Sequence, residues 1–237
     1  MATATSKQSI VNQLVTSFPS ATEETNSPLP LLEQFIYGLC RENATPEQAQ
    51  QAYSRLTNSF FDWNEVRVSS VRELEEAMEG LSDTESRAHR ILSFLQEVFE
   101  TEFRFVLDLG GKKGAGKQIG KALSRYGAAN DFVTAWVTQR SLATHAIPVD
   151  NVSLRVVQRL GLIDASIDDP ETARSSLENL IPKSKGQAFT DALSVLADQI
   201  CTEIDPKCSR CPLANNCPTG QEMRGERPAR PSKSRAR

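Results

Sequence analysis

Four cysteines near the C-terminus are the residues whose spacing most clearly suggests chemistry. They follow the pattern C-x6-C-x2-C-x5-C and are Cys201, Cys208, Cys211 and Cys217. In an intracellular chain, such clustering favours a metal site over disulfides. A zinc ribbon usually has two close cysteine pairs separated by a dozen or more residues, whereas this loop has one pair flanked by two single cysteines. Thiolates that approach from four directions suit the corners of an iron-sulfur cube, so we expect a [4Fe-4S] cluster, with zinc as the alternative.

A second stretch, GGKKGAGKQ at residues 110–118, is similar to a phosphate-binding loop. Gly111, Gly116 and Lys117 satisfy G-x-x-x-x-G-K. The next position holds Gln118 instead of the Ser or Thr that would bind Mg²⁺. A phosphate loop also needs a parallel sheet behind it, which the rest of the sequence does not predict. We therefore interpret these glycines as the start of a helix.

The elements that must position these residues are predicted to be helices. Apolar residues recur at helical spacing along most of the chain, including a stripe that contains the fifth cysteine, Cys40, as a buried small hydrophobe. Alternating strand patterns and internal repeats are not evident, so the predicted class is all-α. The predicted helices cover approximately residues 31–40, 46–56, 71–78, 88–99, 117–125, 132–142, 152–160, 170–180 and 187–201.

Composition limits the classes of function. The 237 residues are 39% hydrophobic, which is enough for one large or two small domains. A net charge of −3 argues against a protein that binds polyanions with its whole surface. Residues 111–160, however, hold eight Lys and Arg but two Asp and no Glu, so a local basic face is expected. We see neither a signal peptide nor a membrane span, and expect a soluble intracellular protein.

The cysteine pattern resembles the [4Fe-4S] signature of the endonuclease III-like DNA glycosylases of the helix-hairpin-helix superfamily, in both order and spacing. The resemblance covers roughly residues 28–218. It implies two α-helical domains with the DNA site in the cleft between them and the cluster in the domain built from the chain termini. The expected domains are a central helical domain at about 42–130 and a terminal domain of 28–41 plus 131–218. Residues 1–27 are expected to be a disordered leader, and 219–237 a basic disordered tail.

The segment HAIPVDNVSLRVVQRLGL resembles the family's A-V-D-x-x-x-x-R-V motif. The resemblance places Asp150 at the catalytic aspartate and Arg155 at the following, DNA-binding arginine. Cleavage of an N-glycosidic bond builds positive charge on the sugar, and a nearby carboxylate stabilises that charge or orients the attacking water. An alternative role for Asp150 is the N-cap of the helix that follows.

The hairpin before this segment departs from the family pattern. The family usually has L-P-G-V-G-x-K, and the matching stretch here is SRYGAANDF, which puts Phe132 at the position of the lyase lysine. The resemblance therefore implies a monofunctional enzyme that uses water as the nucleophile. Gly127 and Asn130 are expected to form the DNA-binding turn, with Asn130 able to adopt a left-handed conformation.

Further DNA contacts are implied by the resemblance. Asn43, in RENATP, matches a polar residue that fills the gap left by an extruded base, and Leu81 matches a wedge between base pairs. The alternatives are a loop cap for Asn43 and a core leucine for Leu81. Lysines on the segment leading into the hairpin are expected to face solvent or DNA phosphate; they are Lys112, Lys113, Lys117 and Lys121.

These features predict a DNA glycosylase of base-excision repair that hydrolyses the N-glycosidic bond of a damaged or mismatched base. The alternatives are a catalytically degenerate iron-sulfur DNA-binding protein on the same scaffold and a zinc-stabilised helical interaction protein. The expected partner is double-stranded DNA, with no membrane contact and a monomeric chain. The expected location is the bacterial cytoplasm, in association with the nucleoid.

Overall fold

The computed structural model describes residues 4–19, 29–107, 116–142 and 144–225, except for the side chains of 4–6 and 116–119. The regular elements in these ranges are helices, so the predicted all-α class is confirmed. The α-helices are α1 (Ala4–Ser17), α2 (Leu31–Arg41), α3 (Pro46–Ser59), α4 (Trp63–Val68), α5 (Val71–Ala77), α6 (Thr84–Glu102), α7 (Gly116–Leu123), α8 (Asp131–Leu142), α9 (Asn151–Arg159), α10 (Pro170–Leu180), α11 (Gly186–Gln199) and α12 (Pro218–Met223). Short 3₁₀ helices cover Lys183–Lys185 and Cys208–Arg210.

The helix starts follow from local sequence. Thr45 and Gln48 form a reciprocal capping box at α3, with Pro46 in the first turn. Asp150 and Asp169 cap α9 and α10 through side-chain oxygens that accept from the amide three residues on. These caps satisfy backbone donors that have no partner inside the helix, and so fix where each helix begins.

The N-terminal helix α1 corrects one expectation. Residues 1–27 were expected to be disordered, yet α1 buries Ile10, Val11 and Leu14 almost completely. These side chains pack with α11, because one apolar stripe in an otherwise polar helix is enough to bury it against a neighbour. The predicted tail at 219–237 also differs, since α12 extends into it as far as Met223.

Two hydrophobic cores organise the molecule. The first joins side chains of α2 to α8 and contains Cys40 and a close Phe35–Phe94 ring stack, with centroids 3.8 Å apart. The second joins α1, α9, α10, α11 and the cysteine loop. Helices α2 and α8 pack into the first core, although the sequence analysis assigned them to the terminal domain. The domain boundaries stay a prediction.

Helix α9 is the element that connects the two candidate sites. It is capped by Asp150, runs from Asn151 to Arg159 and packs against α10, α11 and α12. Asp150 lies beside the loop after α2, and Arg159 lies beside the cysteine loop. None of the described helices is long and apolar enough to cross a membrane.

Candidate active site and candidate metal centre

An open pocket of about 260 Å³ lies between the loop after α2 and the start of α9. We call it the cleft pocket. Its charged side chains are mixed in sign: two are guanidinium groups and three are carboxylates. The residues that line it are Arg41, Asn43, Ala44, Thr45, Gln48, Asp150, Val152, Ser153, Arg155, Ser194, Ala197, Asp198, Thr202 and Glu203.

Asp150 is 4% exposed, and backbone amides hold both of its carboxylate oxygens. Oδ1 accepts from the amide of Ser153 at 2.8 Å, which is the predicted N-cap bond. Oδ2 accepts from the amide of Asn43, in the loop after α2, at 2.8 Å. Asp150 is thus both a helix cap and a carboxylate fixed in the wall of a pocket.

Asn43 contacts the same helix start through its side chain. Its Oδ1 accepts from the amide of Asn151 at 3.0 Å. Its backbone has φ of 52°, in the left-handed region, which Asn tolerates better than most residues. The loop-cap alternative therefore describes its contacts, and Asn43 caps a helix from another part of the chain.

Arg41 lies in the pocket wall at the end of α2 and is 7% exposed. Its Nη1 donates to the carbonyl oxygen of Ala44, and its Nη2 donates to Oγ of Ser194 at 2.6 Å. The guanidinium also lies over the ring of Trp136, 5.8 Å from its centroid. Burial lowers the pKa of Arg41, and the negative charge of Asp150 opposes that shift more than any other nearby charge does.

Phe132, at the position matched to the lyase lysine, is 5% exposed. It stacks on Trp136 with ring centroids 6.1 Å apart, and Trp136 stacks in turn on Tyr37 at 5.9 Å. The position is therefore part of an aromatic column at the edge of the first core.

The predicted DNA-binding turn joins α7 to α8 as a helix-hairpin-helix element. Gly127 and Asn130 are both exposed, and Asn130 does not adopt the left-handed conformation that its residue type allows. Asn130 caps α8, because its Oδ1 accepts from Val133 at 3.0 Å. Glu42 accepts from Nδ2 of Asn130 at 2.5 Å and pairs with Arg90 at 2.7 Å.

The remaining predicted DNA contacts are scattered. Lys121 is exposed on α7, beside the hairpin. Leu81 is 9% exposed and packs in the first core, as the core-leucine alternative describes, and its role as a wedge stays a prediction. Lys112 and Lys113 lie outside the described residues, and the side chain of Lys117 is likewise not described.

All four clustered cysteines line one small cavity. They are free thiols. Burial raises the pKa of the Cys211 and Cys217 thiols, and the charges of Cys201 and Cys208 raise both further, as expected for neighbouring groups. Within the described ranges, no three Cys, His, Asp or Glu side chains form a group that could hold a metal ion.

Close backbone packing shapes this loop. The amide of Gly220 donates to Sγ of Cys217 at 3.4 Å, which caps α12. A Cβ at Gly220 would lie 2.9 Å from the carbonyl oxygen of Ala214, closer than real Cβ atoms come to other atoms. Gly220 therefore lets α12 approach the loop that carries Cys211 and Cys217.

Two arginines of α9 contact the first segment of the cysteine loop. Arg159 donates to the carbonyl oxygens of Thr202 at 2.6 Å and Glu203 at 2.9 Å, and its Nη1 lies 3.6 Å from Sγ of Cys201. Arg155 lies 3.4 Å from the carbonyl oxygen of Cys201 and 3.7 Å from the carboxylate of Glu203. These contacts place Arg155, predicted to bind DNA, between the cleft pocket and the cysteine loop.

Four residues of these sites were not predicted from the sequence: Arg41, Arg90, Arg159 and Gly220. An arginine in the last turn of a helix is a common partner of the helix dipole, so Arg41 gave no signal of its own. The basic residues 155 and 159 on one face of α9 were a usable signal, because residues four apart share a helix face.

No family model matches the chain. Two curated relatives match parts of it. An endonuclease III homolog from Encephalitozoon cuniculi is 25% identical over 108 residues, which are 46% of this chain and 44% of that protein. An adenine DNA glycosylase from Arabidopsis thaliana is 36% identical over 76 residues, which are 30% of this chain and 12% of that protein. The chain thus spans less than half the length of either relative.

A solved structure of a non-covalent endonuclease III–DNA complex matches almost the whole chain. The TM-score is 0.76 at 17% sequence identity, and the match covers 95% of this chain and 100% of the other. The resemblance expected from the sequence is therefore confirmed in the fold, which is that of endonuclease III.

Proposed function

We propose that this chain, which has the endonuclease III fold, is a DNA N-glycosylase of base-excision repair that hydrolyses the glycosidic bond of a damaged or mismatched base. Asp150 is its catalytic carboxylate. The observation that carries the proposal is the fixed position of that carboxylate in the wall of an open pocket, where it is held by one amide of its own helix and one amide of the loop after α2. Both curated relatives are named as proteins of this chemistry or fold.

The geometry supports electrostatic catalysis by a preorganised group. As the C1′–N bond breaks, its electron pair moves to the base and C1′ becomes positively charged. The Asp150 carboxylate lies in a wall largely shielded from water, where its charge stabilises a cation more strongly than it would in bulk solvent. Water then forms the new bond to C1′, and the proton it loses is taken up by the carboxylate or the departing base.

We propose that water is the only nucleophile, because Phe132 cannot form a Schiff base. The aromatic stack of Phe132 with Trp136 supports this, since a buried phenyl ring occupies the position matched to the lyase amine. The product would be an abasic site with an unbroken strand.

We propose a [4Fe-4S] cluster on Cys201, Cys208, Cys211 and Cys217. The four thiols line one cavity, and single thiolates in the pattern C-x6-C-x2-C-x5-C suit the four corners of an iron-sulfur cube. A zinc ribbon usually has two close cysteine pairs, whereas this loop has one. The cluster would supply a structural cross-link of the loop.

Double-stranded DNA is the proposed partner, bound by a monomer. Exposed hairpin residues Gly127 and Asn130, with Lys121 beside them, are the proposed phosphate contacts. The proposed DNA contacts also include Arg155, Asn43 and Leu81. In the structure these three side chains contact other parts of the protein. The proposed place of action is wherever the cell keeps its genomic DNA. The two relatives, from Encephalitozoon cuniculi and Arabidopsis thaliana, lend no support to a bacterial source.

The test is a panel of duplexes carrying oxidised, deaminated and mismatched bases, with and without alkali, and with borohydride trapping. We expect strand breaks after alkali only, and no trapped covalent complex. Asp150→Asn keeps the capping ability of the residue and should lower the single-turnover rate at least about 100-fold. Asp169→Asn is the matched control, because Asp169 caps α10 with the same 2.8 Å bond and is exposed.

A second candidate is a DNA-binding protein without glycosylase activity on the same scaffold. It is favoured by the occupied oxygens of Asp150 and by the packed Phe132. Tight binding to lesion duplexes with no alkali-dependent break on any base would select this candidate and reject the first.

A further inference from the structure

The side chain of Arg41 lies in the wall of the cleft pocket, and the reaction proposed above assigns it no role. Three groups hold it: the carbonyl oxygen of Ala44, the hydroxyl of Ser194 and the ring of Trp136. None of these groups carries a formal negative charge. A buried guanidinium held by neutral partners is costly, and such groups concentrate where function requires them.

Arg41 and Asp150 present opposite charges to one pocket. Both line the cleft pocket, and Asp150 is the charge that most favours the charged form of Arg41. Breaking a glycosidic bond separates charge in the same sense, because the sugar becomes positive and the base becomes negative. A carboxylate near the sugar and a guanidinium near the base would stabilise both halves of that transition state.

The chemistry of the pocket points to a base as the ligand of Arg41. Guanidinium has five N–H donors and no acceptor, and the bonds to Ala44 and Ser194 use two of them. A phosphate is disfavoured, since Asp150, Asp198 and Glu203 line the same pocket. A neutral heterocycle with a carbonyl oxygen fits, whereas an exocyclic amino group would bring donors against donors.

We propose that Arg41 is a catalytic residue that donates a hydrogen bond to a carbonyl oxygen of the extruded base and thereby selects pyrimidines with a carbonyl group at C4 and purines with a carbonyl group at C6. This rests on the proposed glycosylase function. The C1′–N electron pair passes to the base, the negative charge spreads to the carbonyl oxygen at Arg41, and the base then takes the proton that water loses on bonding to C1′. The expected preference is for uracil over cytosine and for hypoxanthine over adenine.

The test uses single-turnover cleavage of duplexes that carry uracil, 5-fluorouracil, hypoxanthine, cytosine or adenine. Arg41→Met should lower the rate on uracil about 100-fold, the usual effect of removing one donor to a developing anion. The loss on 5-fluorouracil should be smaller, because that base leaves as a more stable anion. Affinity for a duplex with an abasic-site analogue should change less than about threefold, since no base is present there. Arg72→Met, at an exposed arginine on α5, is the matched control and should behave as wild type.

The possible outcomes distinguish failure of the proposed Arg41 role from failure of the proposed glycosylase function. If the wild type cleaves none of these bases and none of the wider lesion panel, both fail. If the wild type cleaves cytosine as fast as uracil or adenine as fast as hypoxanthine, or if Arg41→Met slows uracil and 5-fluorouracil equally, the role of Arg41 is overturned while the glycosylase stands. Should Arg41→Met not fold, Arg41→Lys decides: we expect about a tenfold loss on uracil and a smaller one on 5-fluorouracil, and wild-type rates on both would reject the proposal.

Discussion

The backbone amide of Asn43 donates to Oδ2 of Asp150 at 2.8 Å, and Oδ1 of Asn43 accepts from the amide of Asn151 at 3.0 Å. This reciprocal pair joins the loop after α2 to the first turn of α9. It closes one side of the cleft pocket and fixes the carboxylate proposed to act on the sugar. The contact is long-range, so it connects the first core to the second through two hydrogen bonds.

The side chain of Asn43 should contribute about 1 kcal/mol to the free energy of unfolding, because it caps α9. Asn43→Ala should lose this bond and also bear the cost of a left-handed backbone. Asn43→Gly loses the same bond without that strain, so it should be about 1 kcal/mol more stable than Asn43→Ala. Urea unfolding of both variants measures the difference. Equal stabilities would mean that the backbone of residue 43 relaxes.

Substitution of a clustered cysteine should remove the proposed cofactor. Cys211→Ser should lose most of the iron, the acid-labile sulfide and the absorbance near 400 nm, because a hydroxyl is a much poorer ligand than a thiolate. Cys40→Ala is the control, since Cys40 lies in the first core away from the loop, and it should retain about four irons per chain. Zinc in anaerobically purified wild type, in place of iron, would contradict the assignment.

Gly220→Ala should disturb the cysteine loop. The added Cβ would lie 2.9 Å from the carbonyl oxygen and 3.0 Å from Cα of Ala214, and neither atom belongs to a flexible side chain. We expect faster loss of iron on incubation with a chelator and a loss of about 1–3 kcal/mol in stability. Gly120→Ala, whose Cβ would find its nearest neighbour at 4.0 Å, should be neutral or slightly stabilising because alanine favours a helix. Similar chelation rates for the two variants would argue against the close packing of α12.

Alkaline pH should destabilise the protein through Cys40. Burial raises the pKa of this thiol from 9.0 to about 12, partly offset by Arg87 and Arg55. The unfolded chain therefore releases the proton first, and the stability from burying the neutral thiol is present below pH 9 and lost as the pH rises toward 12. The loss should approach about 1.4 kcal/mol per pH unit within that window. Thermal melts of wild type and Cys40→Ala between pH 8 and 11 should differ by a growing margin; parallel curves would show that the thiol is not the cause.

Local patterns predicted much of this fold. The start of α3 is marked by Thr45, Pro46 and Gln48. Thr45 and Gln48 form the capping box, Pro46 fits the first turn, and the helix begins at Pro46 in the structure. Asp169 and Pro170 do the same for α10. Such signals act between near neighbours, so a sequence displays them directly.

Long-range placement was not predictable in the same way. In the sequence, Arg41 is an ordinary arginine at the end of a helix. In the folded chain it contacts Ser194 of α11 and Trp136 of α8, and neither contact is visible from the residues near it in the sequence. Leu81 shows the opposite case, because its match to a family position suggested exposure and the packing of neighbouring helices buries it. Burial depends on which elements meet, and one sequence does not contain that information locally.

Helix α1 reaches across to the cysteine loop: Nε2 of Gln13 donates to the carbonyl oxygen of Pro212, and Oε1 of Gln13 accepts from Asn216 at 2.9 Å. These two hydrogen bonds join the first described helix to the cysteine loop near the end of the described chain. A shortened protein that starts after Ser17, chosen because the opening residues look dispensable, would uncover the outer side of the cysteine loop to oxygen and chelators. A purification tag should therefore be separated by a spacer from the contact between α1 and the cysteine loop.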